Sequence, residues 1–230
     1  MSLRNDKKDK AAKAPQSESE VYQDTLNAAA KLFRKQGYAA TTLRQIGDAT
    51  GIQAGSIYYH FRSKEEILDK VLDTGIRVVM DEVKKRVDAL PPGASARDRI
   101  DAAIEGHLVG LLQHGDFTSA NIRTYGQISA GPKKRNRAIR AVYANYWDKL
   151  LEDGRKRGEL RSDINVSVLR LFVIGALNWT VEWIDPQRGS VEKLIRDISS
   201  IVFDGIALQL PVRALAARAQ GSATRAQRRA

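Results

Sequence analysis

The sequence predicts an all-α protein of two domains, an N-terminal three-helix domain that contains a helix-turn-helix and a larger C-terminal helical domain, with about nine helices in total. Apolar residues recur every three or four positions from residue 21 onward, which is the spacing of helices with one buried face. No segment shows the alternation of apolar and polar residues that is typical of strands. Of the 230 residues 43% are hydrophobic, which is enough for a buried core.

Glycine and proline mark the ends of the predicted helices. Pro91 and Pro92 end a long helix that begins after the capping residue Ser63, and Gly131 with Pro132 separates two later helices. Other helices are predicted over residues 21–36, 117–128, 133–157, 166–184 and 191–208. The predicted organisation is a disordered arm over 1–20, a helix-turn-helix domain over 21–66, a ligand-binding and dimerisation domain over 67–210, and a flexible basic tail over 211–230.

Residues 42–61 predict two short helices joined by a glycine turn. Thr42 followed three residues later by Gln45 is the pattern of a capping box, which begins a helix. Gly51 ends that helix, because glycine readily adopts the left-handed conformation of a helix C-terminus. A helix-turn-helix arrangement follows from this spacing.

The second of these helices has an apolar and a polar face. Ile57 and Phe61 lie four residues apart on the buried face, whereas Ser56 and Tyr59 share another face. Hydroxyl and amide groups bond to phosphate oxygens and base edges, so we expect the polar face to contact DNA and Lys64, in the first turn of the next helix, to contact a phosphate. The predicted DNA-binding residues are Thr42, Arg44, Gln53, Ala54, Gly55, Ser56, Tyr58, Tyr59, His60 and Lys64.

These residues resemble the signature of the TetR family of transcriptional regulators. The match comprises Gly51 and Ile52, the run Gly-Ser-Ile-Tyr-Tyr-His-Phe over 55–61, and the segments 28–42 and 63–68. At Gln53 the family often has serine or threonine instead. The resemblance implies a homodimeric, sequence-specific regulator that represses from a palindromic operator in double-stranded DNA and is released when a small-molecule effector binds the C-terminal domain.

The last two predicted helices are apolar on more than one side. A helix of this kind needs partners on two flanks, so we expect one flank to face the domain core and the other to face a second subunit. The alternative is that both helices are buried within one monomer. The predicted dimer-interface residues are Leu171, Gly175, Asn178, Leu194, Ile198, Ile201, Val202 and Gly205.

Large rings on the C-terminal helices indicate a ligand pocket, although the alternative that they simply fill the core stays open. The predicted lining residues are Ile104, His107, Leu111, Tyr125, Ile128, Tyr143, Trp147, Phe172 and Trp179. The predicted polar anchors are His107, Arg123, Gln127 and Asn178. The effector is then an apolar or aromatic molecule, such as a lipid-like acid or its thioester with coenzyme A. Asn178 and Glu182, polar residues on an apolar helix, belong either to this pocket or to the subunit seam.

The charge balance favours an anionic partner. Lysine and arginine number 38 against 27 acidic residues, a net charge of +11. Residues 211–230 hold five arginines and no acid, which suits either a solvated tail or a second, nonspecific DNA contact. The chain has no cysteine, no signal-peptide pattern at its start and no uninterrupted apolar run of membrane-spanning length. We therefore expect a cytoplasmic protein without a membrane partner.

No motif for catalysis, cofactor binding or metal binding occurs in the sequence. It has no nucleophile elbow, no phosphate-binding glycine loop and no dinucleotide fingerprint. His107 and His114 lie one heptad apart but lack a third metal ligand. We therefore expect no enzyme activity, no cofactor and no metal. The remaining alternative is a nonspecific architectural DNA-binding protein, which explains the positive charge but not the aromatic-rich second domain.

Overall fold

The computed structural model describes residues 17–52, 54–184 and 190–204, and within these ranges the chain forms nine helices and no strand. The all-α prediction is confirmed. The helices are α1 (Glu18–Ala40), α2 (Leu43–Thr50), α3 (Ala54–His60), α4 (Lys64–Asp88), α5 (Ala96–Gln113), α6 (Gly115–Tyr125), α7 (Ala130–Lys156), α8 (Val166–Trp183) and α9 (Val191–Asp204).

Helix α1 begins earlier than the sequence predicts. The Ser17 hydroxyl accepts from the backbone N–H of Glu20 at 3.3 Å, and the Glu20 carboxylate accepts from the backbone N–H of Ser17 at 2.8 Å. This capping box starts the helix at Glu18, so the predicted disordered arm over 1–20 is wrong for residues 17–20. Residues 1–16 and the basic tail over 211–230 lie outside the described residues.

The helix-turn-helix domain is built around one apolar cluster. Phe33 of α1, Ile46 of α2 and Ile57 of α3 are each at most 1% exposed. The first turns of α4 complete this cluster with Ile67 and Leu68, together with Val71 and Leu72. The three-helix domain therefore closes against α4, and Ala120 of α6 and Ile128 are also buried in this cluster.

Helix α4 also belongs to the C-terminal core. From Ile76 to Val87 its buried side chains pack with α5, α7 and α8. The contact with α5 is close: a Cβ atom at Gly106 would lie 2.6 Å from the Cα of Val83, and one at Gly110 would lie 2.9 Å from the Cα of Val79. The two helices thus approach backbone to backbone, which only glycine permits at these two positions.

Helix α6 connects the two domains from the other side of α4. The side-chain amide of Asn121 donates to the backbone carbonyl of Leu72 at 2.6 Å, and Asp116 pairs with Arg34 of α1 at 2.9 Å. A Cβ atom at Gly75 would lie 2.7 Å from the carbonyl oxygen of Phe117, so α4 and α6 are in direct contact there. A shift of α6 would therefore be felt by both α4 and α1.

Candidate DNA interface and ligand cavity

The turn between α2 and α3 has the geometry that the sequence predicts. The Thr42 hydroxyl accepts from the backbone N–H of Gln45 at 3.2 Å, and the Gln45 side chain accepts from the backbone N–H of Thr42 at 2.8 Å. Gly51 closes α2 in the left-handed conformation, with φ of 72°. The capping box and the glycine turn are thus confirmed.

Helix α3 presents aromatic and polar side chains to solvent. Tyr59 is 75% exposed and Tyr58 is 58% exposed, whereas Ile57 and Phe61 are buried. Ser56 and Gly55 are exposed beside the two tyrosines. Gln53 and the side chain of Ala54, which were also predicted to face DNA, lie outside the described residues. The exposed part of α3 is available to a nucleic acid.

Two further predicted contacts flank this surface. His60 is only partly buried, and its ring packs edge-on against Tyr22 and Tyr59 at centroid distances of 6.4 and 5.1 Å. The Arg44 side chain is 89% exposed, and Asp48, with which it forms a loose ion pair at 4.0 Å, is also exposed. The guanidinium of Arg44 is therefore free to approach a phosphate.

Lys64 has a role that the sequence does not reveal. Its ammonium donates to the backbone carbonyls of Tyr38 at 2.9 Å and of Thr41 at 2.6 Å, and it lies 4.3 Å from the centre of the Tyr38 ring. Burial lowers the pKa of Lys64. One of the three N–H donors remains for a phosphate, so the predicted phosphate contact stays a prediction. Lys64 also fastens the end of α1 to the start of α4.

The C-terminal domain contains a partly open cavity of about 480 Å³. It lies among α4, α5, α6, α7 and α8, and most of its lining is apolar. His107, Leu111, Tyr125 and Tyr143 line it, as the sequence predicts. The volume is in the range of small-molecule pockets.

Five of the predicted lining residues do not line this cavity. Ile104 and Trp147 have no exposed surface and fill the core behind the cavity, while Ile128 packs into the apolar cluster of the helix-turn-helix domain. Phe172 and Trp179 are each 63% exposed and face away from the cavity on the outside of α8. Leu171, Gly175 and Asn178 also line the cavity. Their predicted place in the dimer interface stays a prediction.

His107 lies at the cavity wall as a neutral, hydrogen-bonded side chain. Its Nε2–H donates to the Oδ1 of Asn178 at 3.2 Å, and its Nδ1 accepts from the hydroxyl of Tyr143 at 2.7 Å. Burial lowers the pKa of His107 to about 4 and raises the pKa of Tyr143. Among the described residues no cluster of His, Asp or Glu is arranged to hold a metal ion.

The other predicted anchors do not line the cavity. Glu182 and Arg123 form a two-pronged ion pair at 2.9 and 3.1 Å outside it, and Gln127 is also absent from the lining. Thus Asn178 lines the cavity, whereas Glu182 makes a contact with α6.

Four polar lining residues were not predicted: Thr118, Asn121, Arg140 and Arg170. Arg140 donates from Nε to Asn136 at 2.8 Å and from Nη2 to Asn121 at 2.6 Å, and its guanidinium lies 3.5 Å from the centre of the Tyr125 ring. The helical spacing of Arg140 from Tyr143 would have placed both on one face of α7, but a search for apolar lining passes over an arginine.

The outer face of α8 is apolar, and no part of the chain that the structure describes covers it. It consists of Val168, Leu171, Phe172, Gly175, Trp179 and Trp183, all exposed and spaced by three, four or seven-residue steps along the helix. We call this set the α8 surface. Ile201 of α9 is also exposed, whereas Leu194, Ile198 and Val202 are partly buried against the core of the same chain. Gly205 lies outside the described residues.

By length and composition alone, α8 is the one described helix that could cross a membrane. Its two charged residues argue for a protein environment instead. Arg170 pairs with Asp148 of α7 at 2.8 Å, and Glu182 pairs with Arg123 of α6. Crossing a bilayer would pull these charges away from their partners, which is costly in hydrocarbon. The α8 surface is therefore better suited to another protein surface.

The fold and its two sites define a helix-turn-helix DNA-binding protein with a second, cavity-bearing helical domain. Residues 26–71 match the family described as bacterial regulatory proteins, tetR family, and residues 93–206 match the tetracyclin repressor-like C-terminal domain. The chain therefore belongs to the TetR family. It is a DNA-binding transcriptional regulator and not an enzyme.

Individual relatives cover most of the chain. It is 29% identical over 191 residues to the HTH-type transcriptional repressor KstR2 of Rhodococcus jostii, an alignment that spans 80% of this chain and 90% of the relative. The crystal structure of FadR from Bacillus subtilis in complex with stearoyl-CoA has a TM-score of 0.70 at 21% identity and covers 81% of this chain and 100% of its own. The structure of AibR in complex with isovaleryl coenzyme A and operator DNA has a TM-score of 0.69 at 20% identity and covers 79% and 97%. These two structures share the fold.

The neutral state of His107 predicts a pH-dependent stability. The unfolded chain binds a proton at about pH 6.5, whereas the folded chain resists protonation until about pH 4, so the free energy of unfolding falls as the pH drops through this window. The full effect is up to about 3 kcal/mol. Urea denaturation between pH 7 and 4 should show a weaker pH dependence in His107→Gln than in the wild type. His114→Gln removes an exposed histidine and serves as the control. If the unfolding free energy changes equally with pH in His107→Gln and in the wild type, His107 is not a neutral, buried side chain.

Proposed function

We propose that the protein is a homodimeric repressor that binds a palindromic operator and releases it when an effector fills the cavity of the C-terminal domain. The observation that carries this proposal is that α4 and α6 serve both sites. Ile76 and Val79 of α4 line the cavity, while Ile67 and Leu68 of the same helix pack under the helix-turn-helix. A change at the cavity can thus move the DNA-reading helices.

DNA recognition is assigned to the exposed part of α3. Ser56 and Tyr59 offer hydroxyl groups to base edges, and Arg44 on α2 offers a charge to the backbone. In a two-fold dimer the two copies of α3 would reach successive major grooves, roughly 34–36 Å apart. The operator is accordingly expected to contain two related half-sites.

The partner of the α8 surface is proposed to be a second copy of this chain. Two tryptophans, a phenylalanine and two aliphatic side chains form one continuous apolar stripe along α8. Soluble monomers rarely expose a stripe of this size, and a surface that meets its own copy is covered by a two-fold axis. Ile201 extends the stripe onto α9, which suits a four-helix interface made of α8 and α9 from each chain.

The effector is proposed to be an apolar molecule, such as a lipid-like acid or its thioester with coenzyme A. The mostly apolar lining of the cavity supports this class, as does the presence of stearoyl-CoA and isovaleryl coenzyme A in the two related structures.

A polar chain offers a route from the cavity to α4. Arg140 at the cavity wall donates to Asn121, and Asn121 donates to the carbonyl of Leu72 in the middle of α4. Arg140 also donates to Asn136, which donates to Asp73 of α4 at 2.6 Å. An effector that binds the remaining donors of Arg140 would change both contacts with α4. It would thereby favour a state in which the two reading helices no longer match the operator.

Substitutions in the reading surface should separate sequence recognition from general attraction. Tyr59→Ala and Ser56→Ala should weaken operator binding and alter the preferred sequence, since each good base contact is worth about 1–3 kcal/mol. Arg44→Ala should weaken all sequences alike and reduce the salt slope by about one unit. Because Tyr59 and Arg44 are largely exposed, neither change should lower the thermal stability. Competition between operator and random DNA measures how strongly each variant prefers the operator. Wild-type protein that binds both DNAs equally would instead indicate a nonspecific architectural protein.

A carboxylate on the α8 surface should split the dimer. Trp179→Asp places an unpaired charge in the proposed interface, whose desolvation costs several kcal/mol. We expect a monomer in sedimentation, with operator affinity lowered at least tenfold. Trp179 tests the interface more cleanly than Ile198, which is partly buried within its own chain. The matched control is Val142→Asp, an exposed apolar residue of α7 outside the α8 surface. A Trp179→Asp protein that remains a dimer would place the interface elsewhere.

A further inference from the structure

The cavity wall contains two arginines with different partners. Arg170 is neutralised by Asp148, whose carboxylate lies 2.8 Å from Nε. Arg140 has no carboxylate within 4 Å in the part of the chain that the structure describes. Its partners are the side-chain oxygens of Asn121 and Asn136 and the face of the Tyr125 ring, all of them uncharged. Arg140 thus brings an unbalanced positive charge to the cavity.

An unbalanced charge in such a place is unfavourable without a counter-ion. Moving a cation out of water costs free energy that amide oxygens and an aromatic ring recover only in part. Burial also lowers the pKa of Arg140, which points the same way. The guanidinium remains charged nevertheless, because arginine is not deprotonated in proteins. A bound anion would supply the negative charge that the guanidinium lacks.

We propose that Arg140 is the anion-binding anchor of the cavity and that the effector therefore carries an acid group on an apolar body. This inference rests on the proposed function, since it specifies the effector of the same site. The acid group is a carboxylate if the effector is a free acid and a phosphate if it is a coenzyme A thioester. Both bind arginine through charge-assisted hydrogen bonds.

The guanidinium is held in a fixed orientation before any ligand arrives. Two of its five N–H donors are used by Asn121 and Asn136, and the Tyr125 ring supports its plane, so three donors remain. A planar group fixed on one face and at two donors loses little conformational entropy when it binds a carboxylate or phosphate. Such preorganisation is what a specificity-determining anchor requires.

The other polar residues of the cavity are less suited to this role. His107 is uncharged at neutral pH, and both of its nitrogens are used by Tyr143 and Asn178. Arg170 already has its carboxylate partner. Arg140 is therefore the cation of the cavity wall that can discriminate an acid from its neutral analogue.

Three ten-carbon probes test the inference: decanoic acid, its neutral analogue decanamide, and decanoyl-coenzyme A. Their affinities are measured by tryptophan fluorescence and by release of operator DNA, using the full-length wild type, Arg140→Gln and Arg123→Gln. The last variant removes an arginine that lies outside the cavity and is the matched control. Circular dichroism and the thermal unfolding midpoint, both measured without ligand, show whether each variant is folded. If Arg140→Gln does not fold, Arg140→Lys is used in its place. Lysine retains the positive charge but lacks the planar guanidinium group.

We expect the wild type and Arg123→Gln to bind an anionic probe at least tenfold more tightly than decanamide. Arg140→Gln should lose this preference and bind decanamide as the wild type does, and Arg140→Lys should lose part of it. A preference for decanoic acid identifies the carboxylate as the anion, and a preference confined to decanoyl-coenzyme A identifies the phosphates.

Two results would overturn the inference in different ways. If decanamide binds as tightly as the anionic probes, or if Arg140→Gln keeps the preference, Arg140 is not the anchor, but release of the operator by an apolar effector still stands. If none of the three probes binds or releases the operator, the proposed effector class fails together with the anchor.

Discussion

The structure depends on α4, whose two halves are buried in two different apolar cores. The N-terminal half of α4 closes the apolar cluster under the helix-turn-helix, and its C-terminal half is packed backbone to backbone against α5 through Gly106 and Gly110. Interiors packed at this density move as units and do not deform gradually. A shift of α4 that is started at the cavity would therefore be transmitted to the reading helices.

Charged and polar contacts also hold α4 to its neighbouring helices α1, α6 and α7. Lys64 ties the start of α4 to the end of α1, and Asn121 ties the middle of α4 to α6. Arg135 of α7 pairs with Glu65 and Asp69, so α7 also holds the first turns of α4. These contacts surround the part of α4 that lies between the cavity and the reader.

The sequence predicts the reader well and the cavity poorly, for physical reasons. The helix-turn-helix is specified by local signals, namely the Thr42 capping box, the Gly51 turn and the spacing of Ile57 and Phe61. A helical period shows which residues share a face, but it does not show whether that face meets a core, a cavity or solvent. Trp147 and Trp179 illustrate this, since one is fully buried and the other is exposed. The partners of Lys64, and Asn121 and Tyr125 beside Arg140, are distant along the chain and leave no pattern in the sequence.

Reciprocal titration tests whether the cavity and the reader are coupled through α4. The dissociation constant of the operator is measured with and without saturating decanoyl-coenzyme A or decanoic acid, and that of the ligand with and without operator. The account predicts that both ratios exceed about 5 and are equal, because coupling between two binding sites is reciprocal. A ligand that binds in the cavity but leaves the affinity for the operator unchanged would contradict the account.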